Sequence, residues 1–384
     1  MATQAAMDAS AFTEFQKLSK DIRTAVRTLD RREARYLVDT YYQMQEYRIS
    51  SDNQARSMGR DGEPHETISF FGDQMRALEN QIKTVLKDWV ETEPSRLGEW
   101  ALSITGIGPV IAAGMLAHID IHKSPTAGQI WRFAGLDPTV TWRSSEECRN
   151  LVKNAFALNQ NNDIAALQSL YPKFGRSVEN LLRLVNIEFE TDDDGNVVSI
   201  AEPVVPGNLA KKLARRPWNA NLKVICWKAG ESFVKVSGNP KDYYGKIYIQ
   251  RKEFEVQRNE KVKQINVYES VDTQFPLALG DEKFAYCIDG KWYTGGNAEH
   301  AWTTLQRKRI GKDTDAYKAY SIGKLPPAHI HARAKRYAVK LFIAHYHEMG
   351  RKLNGLEVPA PYPIAMLGHN DYIAPPNQDM ANEN

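Results

Sequence analysis

Cysteine is scarce: Cys148, Cys226 and Cys287 are the three in 384 residues, widely separated and odd in number. That excludes a disulfide frame and a cysteine zinc site, and reads as reduced thiols in a cytoplasmic protein. Long apolar runs are absent, and none approaches the roughly 18 residues of a membrane span. Residues Met1 to Ser10 are small and polar, without the apolar core of a secretory signal. No membrane partner is expected, and residues 1–10 read as disordered. Neither sign of charge dominates, the net being +3, so the chain as a whole does not declare a polyanionic partner. No internal repeat is visible. What is present, 42% hydrophobic and 25% charged residues, is the composition of an ordinary globular protein. Such a length can bury a substantial core in two or three substructures.

The charge is unevenly placed. Between Glu202 and Gln264 stand fourteen Lys and Arg, Lys211, Lys212, Arg215, Arg216 and Lys223 among them, against six carboxylates. The stretch Arg307 to Lys352 is as lopsided. Such concentration fits a phosphate-binding surface. A solvated basic face without a partner has the same composition.

The most telling segment is Leu102-Ser103-Ile104-Thr105-Gly106-Ile107-Gly108-Pro109-Val110-Ile111-Ala112-Ala113. Two glycines flank one apolar residue, with a helix-prone stretch on either side. Glycine allows a tight turn and a close backbone approach. Backbone N–H groups at Gly106, Ile107 and Gly108, beside a new helix N-terminus, would cradle a phosphate. This is the pattern of a helix-hairpin-helix clamp on the DNA backbone. A plain helix-turn-helix corner with Gly as C-cap is the other reading.

Further on comes Trp131-Arg132-Phe133-Ala134-Gly135-Leu136-Asp137-Pro138. The order of these two blocks closely resembles the C-terminal transposase domain of the bridge-RNA-guided insertion-sequence transposases of the IS-one-ten and IS-nine-oh-two type. Asn219-Ala220-Asn221-Leu222-Lys223 resembles a helix start of that family, and His331 to Lys340 its final helix. The likeness runs discontinuously over roughly residues 65–350. It implies DNA as partner, RNA as a second partner, and a role in DNA transposition and recombination.

The family's chemistry needs an N-terminal RuvC-like domain, whose DEDD carboxylates hold Mg²⁺ for phosphoryl transfer, and a serine nucleophile. The region before the coiled coil is helical, lacks a strand carrying an early Asp, and is too short for such a domain. The stretch Pro206 to Pro217 corresponds to the serine's position and contains no serine; Ser199 and Ser232, the nearest, lie outside the motif's context. No catalytic residue is assigned, therefore, no cofactor is expected, and Mg²⁺ enters only with an active recombinase.

A mainly α fold is expected: a coiled-coil arm, a helix-hairpin-helix unit and a C-terminal helical bundle with small β-hairpin insertions. Residues 11–93 form the arm, 94–145 the hairpin unit, 146–355 the transposase-like C-terminal domain, and 356–384 a Pro-rich tail, extended or disordered. Within the arm, Phe12 to Tyr47 reads as helix, with Ile22, Val26, Leu29, Leu37, Tyr41 and Met44 loosely on one stripe, and Ser50–Pro64 as a break. From His65 to Glu91, Ile68, Phe71, Met75, Leu78, Ile82, Val85 and Trp89 recur in steps of three and four. That is an a/d seam. It pairs either with the preceding helix or with a second subunit, and the family has a coiled coil in this place; a homo-oligomer is expected.

Residues 149–184 read as helical. Hairpins are expected at Ile187–Ile200, turning at Asp192-Asp193-Asp194-Gly195-Asn196, and at Phe284–Thr294, turning at Asp289-Gly290. The triple aspartate is a solvated turn rather than a metal site. Trp218 to Val236 reads as helix with Leu222, Ile225, Cys226, Ala229 and Phe233 on one face, and Ala328 to Gly350 as another.

Beside the hairpin glycines, Lys123, Lys223, Arg333, Arg336 and Lys340 are the candidate DNA contacts. Arg333, Arg336 and Lys340 recur at three and four residues and so share a helix face. Ile330, Ala334, Tyr337 and Leu341 are expected opposite them, packed inward, which is the layout of a backbone-contacting helix. Solubilising charge is the plainer alternative. His329, His331, His345 and His347 form two His-x-His pairs; residues two apart on a helix diverge, so no metal site is expected. The sequence thus reads as a transposase-like DNA-binding protein of a mobile element or phage. A divergent recombinase with a serine nucleophile, and an RNA-binding or structural protein, are the alternatives.

Overall fold

The computed structural model describes residues 20–58, 66–140, 142–160, 162–267, 276–281, 283–361, 365 and 372–381. The fold is mainly α with small antiparallel β-elements, as expected. The expected disorder of residues 1–10 lies outside the described residues. The chain divides into two compact units: one runs to Trp131 and resumes at Asn221, and the other is Arg132–Ala220.

In the first unit, a short helix α1 (Lys20–Ala25) and a 3₁₀ turn (Val26–Thr28) lead to Leu29, whose extended ψ of 127° breaks the helix. Asp30 then caps α2 (Arg31–Met58). Its Oδ1 accepts from the N–H of Arg32 (2.7 Å) and Glu33 (2.8 Å), while Glu33 Oε2 accepts from Asp30 N–H at 2.7 Å. This reciprocal cap satisfies donors that a new helix leaves orphaned. The expected single helix is therefore split at Leu29-Asp30. It also runs on through Ser50–Met58, the first part of the expected break, because no Gly or Pro intervenes before Gly59 and ion pairs tie its last turns to the next helix; residues 59–64 of that break lie outside the described residues.

That helix, α3 (Glu66–Glu91), buries Ile82, Val85, Leu86, Trp89 and Val90. It packs along α2, and Arg48 of α2 reaches across to the buried Glu79 at 2.6 Å while pairing with Asp52 of its own helix at 3.1 Å. The seam is occupied within the chain, by α2 and by α5 (below). Phe71, one of its expected members, is 58% exposed.

Next come α4 (Leu97–Ser103), α5 (Pro109–His118) and α6 (Ala127–Phe133). Helix α5 is apolar nearly all round, and a helix of that composition is buried on all sides. Val110 and Ala112 to His118 are buried, with α2 and α3 against it.

The second unit holds α7 (Ser145–Leu158), α8 (Asp163–Phe174) and α9 (Val178–Val185), three helices where one helical stretch was expected. Ser144, Asn162 and Ser177 each accept a backbone N–H at the start of one of them, the role of an N-cap. A hairpin of β1 (Phe189–Thr191) and β2 (Val197–Ile200) follows, then α10 (Pro206–Leu213). Asp192 accepts from the N–H groups of Asp194 and Asn196, so the triple aspartate is a turn. Val152, Leu167, Leu170, Leu181, Leu182 and Leu209 form this unit's own core.

The first unit resumes with α11 (Ala220–Val236), which buries the expected face of Leu222, Ile225, Cys226, Ala229 and Phe233. Helix α12 (Tyr244–Glu260) was not foreseen. Four strands, β3 (Lys263–Ile265), β4 (Leu277–Ala278), β5 (Phe284–Ile288) and β6 (Lys291–Thr294), make an antiparallel sheet in the order β3-β6-β5-β4. Asp289 (φ 47°) and Gly290 (φ 73°) turn β5 into β6, the left-handed pair of a two-residue hairpin. Then come α13 (Ala298–Arg307), α14 (Asp315–Tyr320) and the long α15 (Pro327–Leu353), which lies along α12.

The tail differs from expectation. Residues 372–381 dock on the first unit and end in a 3₁₀ turn (Gln378–Ala381). Pro376 O accepts the indole N–H of the fully buried Trp100 at 2.9 Å, Ala374 O the hydroxyl of Tyr243 at 2.9 Å, and Asn377 Nδ2 donates to Ser103 Oγ at 2.8 Å. Buried polar groups take partners, and the buried indole N–H of Trp100 takes its partner from the tail backbone.

Candidate nucleic-acid interface

Helices α4 and α5 are joined by Gly106-Ile107-Gly108. Ile107 N–H donates to Ile104 O at 2.9 Å, closing the turn, and Ala112 N–H to Gly108 O at 3.0 Å, opening α5. The N–H groups of Val110 and Ile111 precede that first helical bond and have no partner within the helix. Pro109, at the first helical position, removes a donor that would be orphaned anyway. The helix dipole adds partial positive charge at this end.

The two glycines sit differently. Gly106 has φ +98°, and a Cβ there would lie 3.2 Å from Val236 Cγ2 and 3.4 Å from Phe233 Cδ1. Its carbonyl accepts from Ser232 Oγ, and Thr105 Oγ1 donates to Lys241 O at 3.3 Å. Ile107 is 5% exposed. This side of the turn is therefore packed on α11 and the segment after it. Gly108 has φ −92° and ψ 172°, open to any residue, and no atom lies within 4 Å of where its Cβ would stand.

The other candidates do not converge on the turn. Lys123 follows the far end of α5, about 15 Å along the axis from Gly108, and stands 3.6 Å from Asp120 Oδ2 with its side chain largely in solvent. Lys223 is exposed on the first turns of α11. On α15, Arg336 is exposed, and Lys340 Nζ lies 4.2 Å from the Trp131 ring centroid while its carbonyl accepts the Trp131 indole N–H at 2.9 Å. Arg333 is not outward: its side chain is 17% exposed and its Nη1 is 3.0 Å from Glu255 Oε2, a carboxylate wholly out of water. Tyr337, expected in the core, is 38% exposed, with the Arg251 guanidinium 4.8 Å from its ring centroid. At 100° per residue, four residues from Arg333 is only about 40° round the helix, so Tyr337 belongs to the basic side.

Two groupings escaped the sequence reading. On α12, Arg251, Glu255 and Arg258 stand at intervals of four and three, and Arg251 shares Glu255 with Arg333. The spacing alone could have revealed them, had α12 been recognised. On α11, Trp227 is 52% exposed, with Lys228 Nζ 5.7 Å and Lys335 Nζ 5.2 Å from its ring centroid. Lys335 is also paired with Glu231. Exposed aromatics interleaved with cations suit nucleic-acid surfaces, where rings stack on bases and cations meet phosphates.

The α15 histidines are each tied into the fold. Tyr320, Tyr248 and Tyr244 place their hydroxyls 2.9, 2.8 and 2.8 Å from Nδ1 of His329, His331 and His345, and His347 Nε2 meets Ser124 O at 2.8 Å. Burial pushes His329 and His345 down to about 4, so both rings are neutral at pH 7. Among the described residues no group of three His, Cys, Asp or Glu is placed to hold a metal ion, and no helix is long and apolar enough to cross a membrane.

Residues 99–150 match a protein family described as Transposase IS116/IS110/IS902 family. The matched stretch takes in most of α4, the glycine turn, α5, α6 and the start of α7, and it supports a transposase of that family. No curated protein and no solved structure matches the chain.

Proposed function

We propose that this protein acts in DNA transposition and that the turn between α4 and α5 grips the DNA backbone. One observation carries the second half of that reading. Gly108 has neither a positive φ nor a neighbouring atom that would exclude a side chain. Gly108 is the N-cap of α5, where glycine is a favoured residue, and its open Cβ position also leaves room for an outside group to approach the backbone closely. The N-terminus of α5, with its orphan N–H groups, suits a phosphate. Contacts of this kind position a protein on DNA without reading its sequence. The basic residues on α11, α12 and α15 add sequence-independent affinity.

The experiment is Gly108→Val. The variant is expected to keep its circular dichroism and melting temperature, since the Cβ meets empty space, and to bind duplex DNA several-fold more weakly in a fluorescence anisotropy titration. A folded variant with wild-type affinity overturns the clamp.

A further inference from the structure

Four guanidiniums lie near enough for the fields of three to reach the fourth: Arg251 and Arg258 on α12 and Arg336 on α15 all act on Arg333 of α15. Glu255 is the one carboxylate within ion-pair distance of any of them among the described residues. Its Oε1 takes Arg251 Nη2 and its Oε2 lies 3.0 Å from Arg333 Nη1. Arg333 Nη1 also donates to Asn297 Oδ1 at 2.9 Å, and Asn297, itself fully buried, donates to Asn259 Oδ1 at 3.1 Å. Arg258 lies in the space left by Gly296, where a Cβ would collide with its guanidinium. Arg258 and Arg333 thus come to the adjacent residues Gly296 and Asn297, just before α13.

The charges do not balance. Three of the four positive charges are left over, and Arg333 is held in a largely buried place where desolvation opposes its charge, Glu255 supports it, and the fields of Arg258, Arg251 and Arg336 oppose it again. His329 is driven towards its neutral form chiefly by burial, with the same field from Arg333, Arg336 and Lys308 added to it. A partly buried excess of one sign is costly unless a counter-charge fills it. Guanidiniums meet phosphate oxygens two at a time, with planar geometry that an ammonium lacks.

We propose that Arg258 and Arg336, backed by Arg251 and Arg333, form a binding site for a phosphate group, with Glu255 as the positioning residue that fixes the two backing arginines. The site is distinct from the α4–α5 turn. That its phosphate belongs to a nucleic-acid backbone rests on the DNA-binding reading above; that it takes a phosphate does not.

The test uses the full chain, with inorganic phosphate and duplex DNA as separate probes. Melting temperature is expected to rise with phosphate over chloride at matched ionic strength, and the phosphate-specific part is expected to vanish in Arg258→Gln with Arg336→Gln. Should that pair fail to fold, Arg336→Gln alone, an exposed position, is expected to reduce it. With duplex DNA, the double variant should shallow the log–log salt dependence of binding by about one to two units, at roughly one per lost phosphate contact. A phosphate effect with an unchanged DNA slope overturns the backbone source and keeps a free-anion site. No phosphate effect and no slope change overturn the proposal outright. A changed slope in this variant beside unchanged affinity in Gly108→Val supports this site while the turn reading fails.

Discussion

Gly106 and Gly108 are two residues apart, and the backbone asks different things of them. At Gly106 the φ of +98° and the 3.2 Å approach of Val236 make any side chain strained. Gly106→Ala should cost about 1–3 kcal/mol, read from the urea midpoint, whereas Gly108→Ala, which loses only a glycine N-cap, should cost less than about 1 kcal/mol. Equal losses at the two positions would mean that the open space at Gly108 is closed in solution. Glu255 is the other residue on which much depends. Glu255→Ala leaves Arg333 charged and unpaired, and breaking such a pair costs about 3–5 kcal/mol; a loss below about 1 kcal/mol would show the pair to be solvated. The glycines were legible in the sequence because a turn leaves a local signature. The partners of Arg333 were not: spacing on one helix says which side a residue takes, but not whether another helix brings a carboxylate to it.

Among the elements, the α2–α3 pairing shows what a seam can and cannot specify. Its period was legible, and the apolar residues of its second half are buried, but the partner was left open between this chain and another copy. The fold fills it with α2 and α5. Leu78→Asp with Ile82→Asp should therefore unfold the arm's packing, since Ile82 is 9% exposed and a buried unpaired charge is severely penalised. Light scattering with circular dichroism checks this: a fall from dimer to monomer with helicity intact would place the seam between subunits instead. The β5–β6 hairpin was legible to the residue because Asp289-Gly290 can supply the two left-handed conformations of its turn. Helix α12 was not, since its buried stripe is Tyr244, Gly245, Tyr248 and Glu255. A stripe that includes a glycine and a charged pair has no apolar period to read.

At the scale of the molecule, the buried histidines tie stability to pH. His118, His329 and His345 sit at about 4 in the fold, chiefly through burial, against an ordinary value near 6.5. The unfolded chain takes up these protons first, so stability is full above about pH 6.5 and declines as pH falls towards 4. His345 adds a reason in geometry: with Tyr244 OH on Nδ1 and Ile373 O on Nε2, the neutral ring with its proton on Nε2 matches both neighbours. Melting temperatures should fall steadily from pH 7 to pH 4.5; a flat profile would contradict the buried, neutral rings. The second unit carries a core of its own, and residues 132–220 expressed alone are expected to melt cooperatively. Neither unit boundary was legible, because Trp131 and Asn221 fall inside helices rather than in linkers of distinctive composition.

The docked tail also sets an order in time. Trp100 is stacked on Phe342 and its N–H is bound by Pro376, so the indole's neighbours are made early and late in synthesis. While the ribosome is still threading residues beyond α15, Trp100 can be covered by Phe342 and yet have its N–H unanswered. Chains released or cut between Gly355 and Tyr372 would retain every helix from α1 to α15 and still lack the carbonyl that completes this core. Quality-control proteases that act on transient openings would meet such chains as less well closed than the full-length protein, although their α-helices are the same.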